Sequence, residues 1–469
     1  FAKYQLEKLD FSEKFSGTKH SLFANYKHKN IHFFNQSSAM KSDGSFSDTK
    51  FIRNQTKAKY NFKKNWFGGN FNYENNLEQL AASNEFSALS QKFSEYGAFI
   101  GRGDSTKVFL ELGYLQRQND SLQNGIVQRV NHSNSYYLNS QLIKTEKSNL
   151  SVFIKYRTLK FENTNQKDQP SLNSRIIYND RFWDQIIQLS TIYENSSGTI
   201  AQQEFTYLEV EPGQGVYTWN DYNDNGIQEL QEFEIAPFPD LAKYVRVFLP
   251  NQIFLQTHQN KFSQSLTLNL NQWQNKKGFK KFMSKFYNQT SYLIDRKINR
   301  NNTDFDLNPF SNSNENLVGL NSSFRNSLFY NRGKQNHSIT YNFLTNDAKN
   351  LLSVGSVENR AKSHQLQYQH LVQKTWLFTL AGKTIFNASF SENYPTRNFE
   401  IEGFQASPKV AYLFSKNASW DVFYEFQNKE NKIGAFESLN QNRFGSSFTF
   451  NSEKGFRVNG EFSLYSNSY

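Results

Sequence analysis

The sequence points to an all-β, antiparallel fold on three grounds. Side chains alternate between apolar and polar with a period of two along many stretches, which is the signature of a strand rather than a helix. Short polar segments punctuate these stretches at the places where hairpins need turns. The composition is rich in aromatics (16%, with Phe 46 and Tyr 25) yet only 37% hydrophobic, with a mean hydropathy of −0.74. Disordered chains lose their aromatics, and helical ones are richer in Ala, Leu and Met than this chain is.

The alternation can be followed along the chain. In KVFLELGYLQR, Val108, Leu110, Leu112 and Tyr114 alternate with Phe109, Glu111, Gly113 and Leu115. In LSVFIKYRT, Leu150, Val152, Ile154 and Tyr156 form the apolar set, and in SLTLNLN it is Leu266, Leu268 and Leu270. SWDVFYEFQ sets Trp420, Val422, Tyr424 and Phe426 against Asp421, Phe423, Glu425 and Gln427. GFRVNGEFSLY sets Phe456, Val458, Phe462 and Leu464 against Arg457, Asn459, Glu461 and Ser463. GRGDST, KTEKSN, NRGKQN, SKNAS and NSEKG separate such runs and read as hairpin connections. Roughly 20 to 24 strands are expected, many about ten residues long, the length a tilted strand needs to cross a bilayer.

Two architectures carry this pattern. Soluble sandwiches bury the apolar face, whereas a transmembrane β-barrel turns it toward lipid and lines its lumen with polar residues. Long strands, unequal connections, scarce Pro (8), absent Cys and aromatics near strand ends (SYY, FYN, FNY, YLF) favour the barrel. The expectation is one large barrel over 1–469 with long structured loops. A chain that opens on Phe1 implies a removed leader, and SLYSNSY loses its alternation after Leu464. The barrel is therefore expected to be incomplete at both ends.

The other totals bound function. Lys plus Arg is 53 and Asp plus Glu 42, a net +11 that suits an anionic lipid headgroup or lipopolysaccharide phosphate. No nucleic-acid partner is expected, because no binding motif occurs and the basic residues look scattered. Without cysteine there are no disulfides, no Cys-ligated zinc and no Cys nucleophile. No run of 18 apolar residues occurs, so no transmembrane helix is expected. GxSxG, P-loop and HExxH motifs are missing, and no enzyme activity is expected. The tripeptide Arg102-Gly103-Asp104 fits a hairpin turn better than an adhesion motif. His28 and His32, read as one strand, would stand roughly 13 Å apart on one face, too far to share a metal.

Two segments carry candidate sites. The stretch 209–250 is expected to be a long structured loop bracketed by Pro212 and Pro250. Inside it, DYNDNGIQELQE has the spacing of an EF-hand calcium loop. Asp221, Asn223 and Asn225 supply oxygens, Gly226 the sharp turn, Ile227 a carbonyl, Glu229 a direct or water-mediated ligand, and Glu232 the closing bidentate carboxylate. Two Asn in place of Asp imply weak Ca2+ binding of the extracellular kind. QELQEFE is expected to form a short helix after the loop. In KKGFKKFMSK, Lys276, Lys277, Lys280, Lys281 and Lys285 flank Phe279 and Phe282. They fit either membrane headgroup contact, with snorkelling side chains, or a solvated loop.

The segment GQGVYTWNDYNDNGIQELQEFEIAPFPDLAKYVRVFLP resembles a motif of large outer-membrane proteins of Bacteroidota, and the Asn-, Phe- and Tyr-rich alternating strands around it fit the same group. The resemblance implies a barrel in the outer membrane of a Gram-negative bacterium. Related barrels of that phylum act in nutrient uptake with surface lipoproteins, in protein secretion or in outer-membrane assembly. A role in transport, or as a subunit of such a complex with other outer-membrane or surface proteins as partners, is therefore expected. The alternatives are a surface adhesin or binding module stiffened by calcium, and an outer-membrane enzyme.

Overall fold

A computed structural model describes residues 1–469 except 12–14, 105, 163–166, 222–225, 227, 229–231, 301–304, 312–315, 335, 353–354, 393–394 and 453–454. The described strands form one 23-stranded sheet. The first eleven are β1 (Ala2–Phe11), β2 (Phe15–His28), β3 (Ile31–Gly44), β4 (Ser47–Phe62), β5 (Asn65–Leu80), β6 (Gln91–Gly103), β7 (Phe109–Gln123), β8 (Ile126–Lys144), β9 (Ser148–Phe161), β10 (Gln169–Phe182) and β11 (Ile187–Glu209). Two short strands come next, β12 (Tyr217–Trp219) and β13 (Phe233–Ile235), then the long β14 (Tyr244–Asn269) and a helical turn, α1 (Phe279–Met283). The rest are β15 (Phe286–Asn299), β16 (Leu317–Tyr330), β17 (Ser338–Leu352), β18 (Gly355–Val372), β19 (Trp376–Ser391), β20 (Phe399–Leu413), β21 (Ala418–Asn431), β22 (Ser438–Asn451) and β23 (Arg457–Ser468).

Consecutive strands pair antiparallel from β1 to β11 and from β15 to β23. Between these two meanders, β14 pairs with β11 and β12. Among the described residues no pairing closes the sheet on itself. The chain divides into two compact units, one of Phe1–Ser197 with Asn260–Gln264 and Thr303–Leu307, the other of Gly198–Gln259, Ser265–Asn302 and Asn308–Tyr469.

Within the first unit the two faces of the sheet differ in kind. On β7, Leu110, Leu112 and Tyr114 are exposed, and Ile100 of β6 beside them is 62% exposed. On the opposite face Trp66 is only 4% exposed. Its Nε1 donates to Glu111 Oε2 at 2.8 Å, Tyr137 Oη donates to Glu111 Oε1 at 3.2 Å, and Lys59 Nζ lies 4.2 Å from the Trp66 ring centroid. Arg117 stacks on Phe93 at 3.7 Å, and Asn72 Nδ2 donates to Glu95 Oε1 at 2.8 Å. The charged face is hydrogen-bonded, and the apolar face is open.

The second unit repeats the inversion. Register places Phe378 against Val410, Val410 against Val422, Tyr424 against Phe444 and Phe444 against Leu464, so one apolar band crosses β19 to β23. Leu380, Phe404, Trp420, Tyr424, Phe444 and Leu464 on this face are all exposed. The other face carries the Lys409–Asp421 ion pair at 2.7 Å and Arg443, which bonds Glu461 and lies 4.9 Å from the Phe423 ring centroid.

The backbone settles several details of the sequence reading. His28 and His32 do not share a strand: the chain reverses at Lys29–Asn30, which pairs His28 with Ile31 and Lys27 with His32. Lys29 takes the left-handed conformation (φ 48°) that this two-residue turn requires, so no glycine marks it. Arg102-Gly103-Asp104 lies at a hairpin turn, where Asp104 N donates to Val108 O at 2.8 Å and Thr106 N to Asp104 Oδ1 at 2.9 Å. Those bonds from Thr106, backbone first and then hydroxyl, hold the Asp104 carboxyl below its usual range. SLYSNSY continues as strand to Ser468, because the ladder pairs Ser466 with Asn442 and Asn467 with Gln441 through the backbone whatever the side chains.

Candidate functional site

The connection 210–243 between β11 and β14 is built like a small soluble domain. Val210 N donates to Lys243 O, and Gly213 N and Gly215 N both donate to Ala242 O. Lys243 N donates to Tyr217 O and Val216 N to Tyr244 O, laying β12 along the start of β14. Gly215 is required by this approach: a Cβ there would lie 2.6 Å from Tyr244 N and 2.7 Å from Ala242 O. β13 then pairs with β12, Tyr217 opposite Ile235 and Trp219 opposite Phe233.

The hairpin closes over an aromatic core. Tyr217, Phe233 and Tyr244 are buried together, with Tyr207 and Trp219 packed against them. Tyr207 stacks on Phe233 with centroids 4.1 Å apart, and Tyr217 and Tyr244 meet those rings edge-on at 5.0 Å. Such pairs each add about 0.5–1.5 kcal/mol beyond the area they bury. Arg246 Nη2 donates to Tyr217 Oη at 2.7 Å, and its guanidinium lies 4.9 Å from the Phe205 ring and 5.3 Å from that of Tyr217. The same Nη2 reaches Glu392 Oε1 at 3.3 Å, and Ser356 N donates to Glu392 Oε2 at 2.8 Å. Burial pushes the Glu392 carboxyl up, but the Ser356 amide and Arg246 together outweigh it and hold it below its usual range.

Of the predicted calcium ligands, the structure describes the first and last. Asp221 Oδ2 accepts from Gly226 N at 2.7 Å, and Gly226 takes φ 69°, so the first position caps the amide of the sixth and fixes the turn. Glu232 is 2% exposed, and its Oε2 accepts from Trp219 Nε1 at 2.9 Å. Gln228 Nε2 donates to Tyr244 Oη at 3.0 Å, tying the loop to the aromatic core. Asn223, Asn225, Ile227 and Glu229 lie outside the described residues. Among the described residues no group of three or more His, Asp or Glu side chains is arranged to hold a metal. The capped turn and the interior carboxylate at the twelfth position are compatible with a calcium loop's frame, in which Asp221 and Glu232 would be ligands.

Of the stretch QELQEFE, expected to be helical, residues 229–231 lie outside the described residues, and its end enters strand, with Phe233–Ile235 forming β13. Its pairing with β12 puts the Phe233 ring in the core, and a helix would withdraw it. Arg246 and Glu392 anchor the connection from 146 residues apart; Arg246 falls inside the quoted 213–250 segment, but nothing in the sequence pairs it with Glu392.

The lysines of KKGFKKFMSK sit elsewhere, after β14. Lys280 and Lys281 are on α1, with Lys276 and Lys277 before it and Lys285 after it, all exposed. Lys285 Nζ lies 3.4 Å from Tyr330 Oη, and Lys280 Nζ 6.0 Å from the Trp273 ring centroid.

No family model matches the chain, and no curated protein matches it. Solved structures similar to it include the ferric-catecholate import receptor Fiu of E. coli K12, with 9% identity, a TM-score of 0.30, and coverage of 96% of this chain and 80% of that one. Another is the siderophore receptor PiuA of Acinetobacter baumannii, with 7% identity, a TM-score of 0.26, and coverage of 99% of this chain and 74% of that one.

Proposed function

We propose that the chain is an outer-membrane β-barrel of a Gram-negative bacterium, acting in transport or as a subunit of an outer-membrane transport, secretion or assembly complex. One observation carries the reading: long antiparallel strands whose exposed face is apolar and whose opposite face holds the hydrogen-bonded charges. Water disfavours that arrangement and a bilayer favours it. Closure of the sheet and partners among outer-membrane or surface proteins belong to the same proposal.

The test is extraction and conductance. The protein should fractionate with outer membranes, require detergent for release, and give discrete current steps in planar bilayers. Release by salt alone sinks the membrane reading. Membrane residence without conductance favours the subunit role, which native purification with its partners would then identify.

Calcium in the Asp221–Glu232 loop is part of the proposal. Bound Ca2+ would supply charge to hold carboxylate and carbonyl oxygens together. The chain's own share is the turn at Gly226 and the placement of Glu232 beside Trp219. Asp221→Asn or Glu232→Gln should weaken calcium binding and raise protease cutting near Gly226. A cutting rate that chelator leaves unchanged removes the metal from the reading.

A further inference from the structure

The basic residues that look scattered in the sequence are gathered by the topology of the second unit. In an antiparallel meander, alternate connections lie at the same end of the sheet. The segment 270–285 after β14 carries five lysines and no carboxylate. At the same end, Arg332 and Lys334 lie between β16 and β17, Lys374 between β18 and β19, and Lys416 between β20 and β21. Every charge of these four connections is positive, each of these cations is exposed, and among the described residues none pairs with a carboxylate; the fifth connection at this end, 452–456, carries Glu453 and Lys454, which balance.

The other end is different. In the connection 210–243, Asp and Glu far outnumber the one lysine, Lys243. Glu392 and Arg397 balance between β19 and β20, and Lys432 and Glu437 between β21 and β22. There Arg246 pairs with Glu392 at 3.3 Å and Lys432 with Glu430 at 2.6 Å.

An aromatic row lies just inside the cationic end. Register aligns Trp376 with Tyr412, Tyr412 with Trp420 and Trp420 with Phe448. Phe414, one residue beyond β20, and Phe279 on α1 (73% exposed) project beside the cations. Arg332 lies 4.0 Å from the Tyr287 ring centroid. Aromatic rings settle at a bilayer's polar–apolar boundary, and unpaired cations on long stems reach the phosphates just above it.

We propose that this end is a docking surface for anionic glycerophospholipid headgroups, and that it fixes which way the chain faces. The inference rests on the membrane reading above and deepens it. Most of these connections are short, and short turns belong to the periplasmic side of outer-membrane barrels. The partner is therefore the phospholipid leaflet. The acidic 210–243 connection then stands on the other side of the membrane.

The experiment folds the full chain into vesicles of phosphatidylcholine with or without phosphatidylglycerol. Folding is read as heat-modifiable gel mobility, and the annular lipid is measured after extraction. We expect at least about fivefold enrichment of phosphatidylglycerol around the unmodified chain, since a single Lys or Arg near an anionic surface is worth about that factor. The enrichment should fall several-fold in 0.5 M salt, as screening requires. It should drop below about twofold in the variant K276Q/K277Q/K280Q/K281Q/R332Q/K334Q, which keeps its gel mobility. The salt arm needs no variant, so misfolding of the variant leaves the test intact. Equal lipid preference in the unmodified chain overturns the docking surface while folding still supports the membrane reading. Failure to fold into either vesicle overturns the membrane reading itself. Stronger enrichment of lipopolysaccharide than phosphatidylglycerol, or displacement by inorganic phosphate, also overturns the assignment.

Discussion

The band across β19–β23 and the connection 210–243 use the same residues for opposite ends. In the band, Trp420, Tyr424 and Phe444 stand exposed while Lys409, Asp421 and Arg443 pair on the reverse face. In the connection, Tyr217, Phe233 and Tyr244 bury one another, and Glu234 lies outside with Asn220. The connection is folded the way water demands. The band is folded the way an apolar solvent demands. Hydrophobic content alone therefore does not set the environment of a strand: the side on which its charges find partners does.

Four changes probe this contrast. The largest effect is expected from Phe233→Ala, which empties the centre of the connection's core. Loss of a buried Phe costs about 3–5 kcal/mol, so proteases should cut 210–243 rapidly while the gel mobility of the sheet stays as it was. Leu380→Arg tests the band. If lipid covers that face, folding into vesicles should weaken by about 2–4 kcal/mol, whereas a face in water would tolerate the change within about 0.5 kcal/mol. A denaturant titration in vesicles separates the two.

Arg246→Met keeps the apolar stem and removes the guanidinium. Loss of its ring contacts and its bond to Tyr217 should loosen the connection by about 1–2 kcal/mol, seen as faster amide exchange over β12 and β13 and not over β19–β23. The smallest effect comes from acid. The Glu392 carboxyl titrates below its usual range when folded. It therefore adds stability above the unfolded value of about 4.3 and loses it as pH falls through the lower folded value. Because Glu392 is partly exposed, the contribution should stay under about 1 kcal/mol. Protease sensitivity of 210–243 should rise over that acidic window in the unmodified chain and show no such component in Glu392→Gln.

Much of the sheet was legible because period-two alternation is a direct imprint of a pleated strand. Leu110, Leu112 and Tyr114 announce β7, and its exposed face is the one they occupy. What the pattern did not carry were features set by the backbone. The turn at Lys29 uses a non-glycine left-handed residue, and β23 keeps its ladder past Leu464 with serines on the apolar face. At the site, the motif gave the positions of Asp221, Gly226 and Glu232. It missed β13, because burial of the Phe233 ring draws Phe233–Ile235 into strand at the end of QELQEFE. The pairing of Arg246 with Glu392 was invisible, since their meeting depends on the order of strands and not on spacing.

That last contact also constrains the order of assembly. Arg246 and Glu392 are separated by 146 residues, and closing so long a span costs entropy that only later contacts offset. The connection can draw on its local rings early, but its anchor waits for the β18–β19 hairpin to arrive. During maturation, 210–243 therefore stays without its anchor until β18 and β19 are in place, and its locking reports that those strands have found their places.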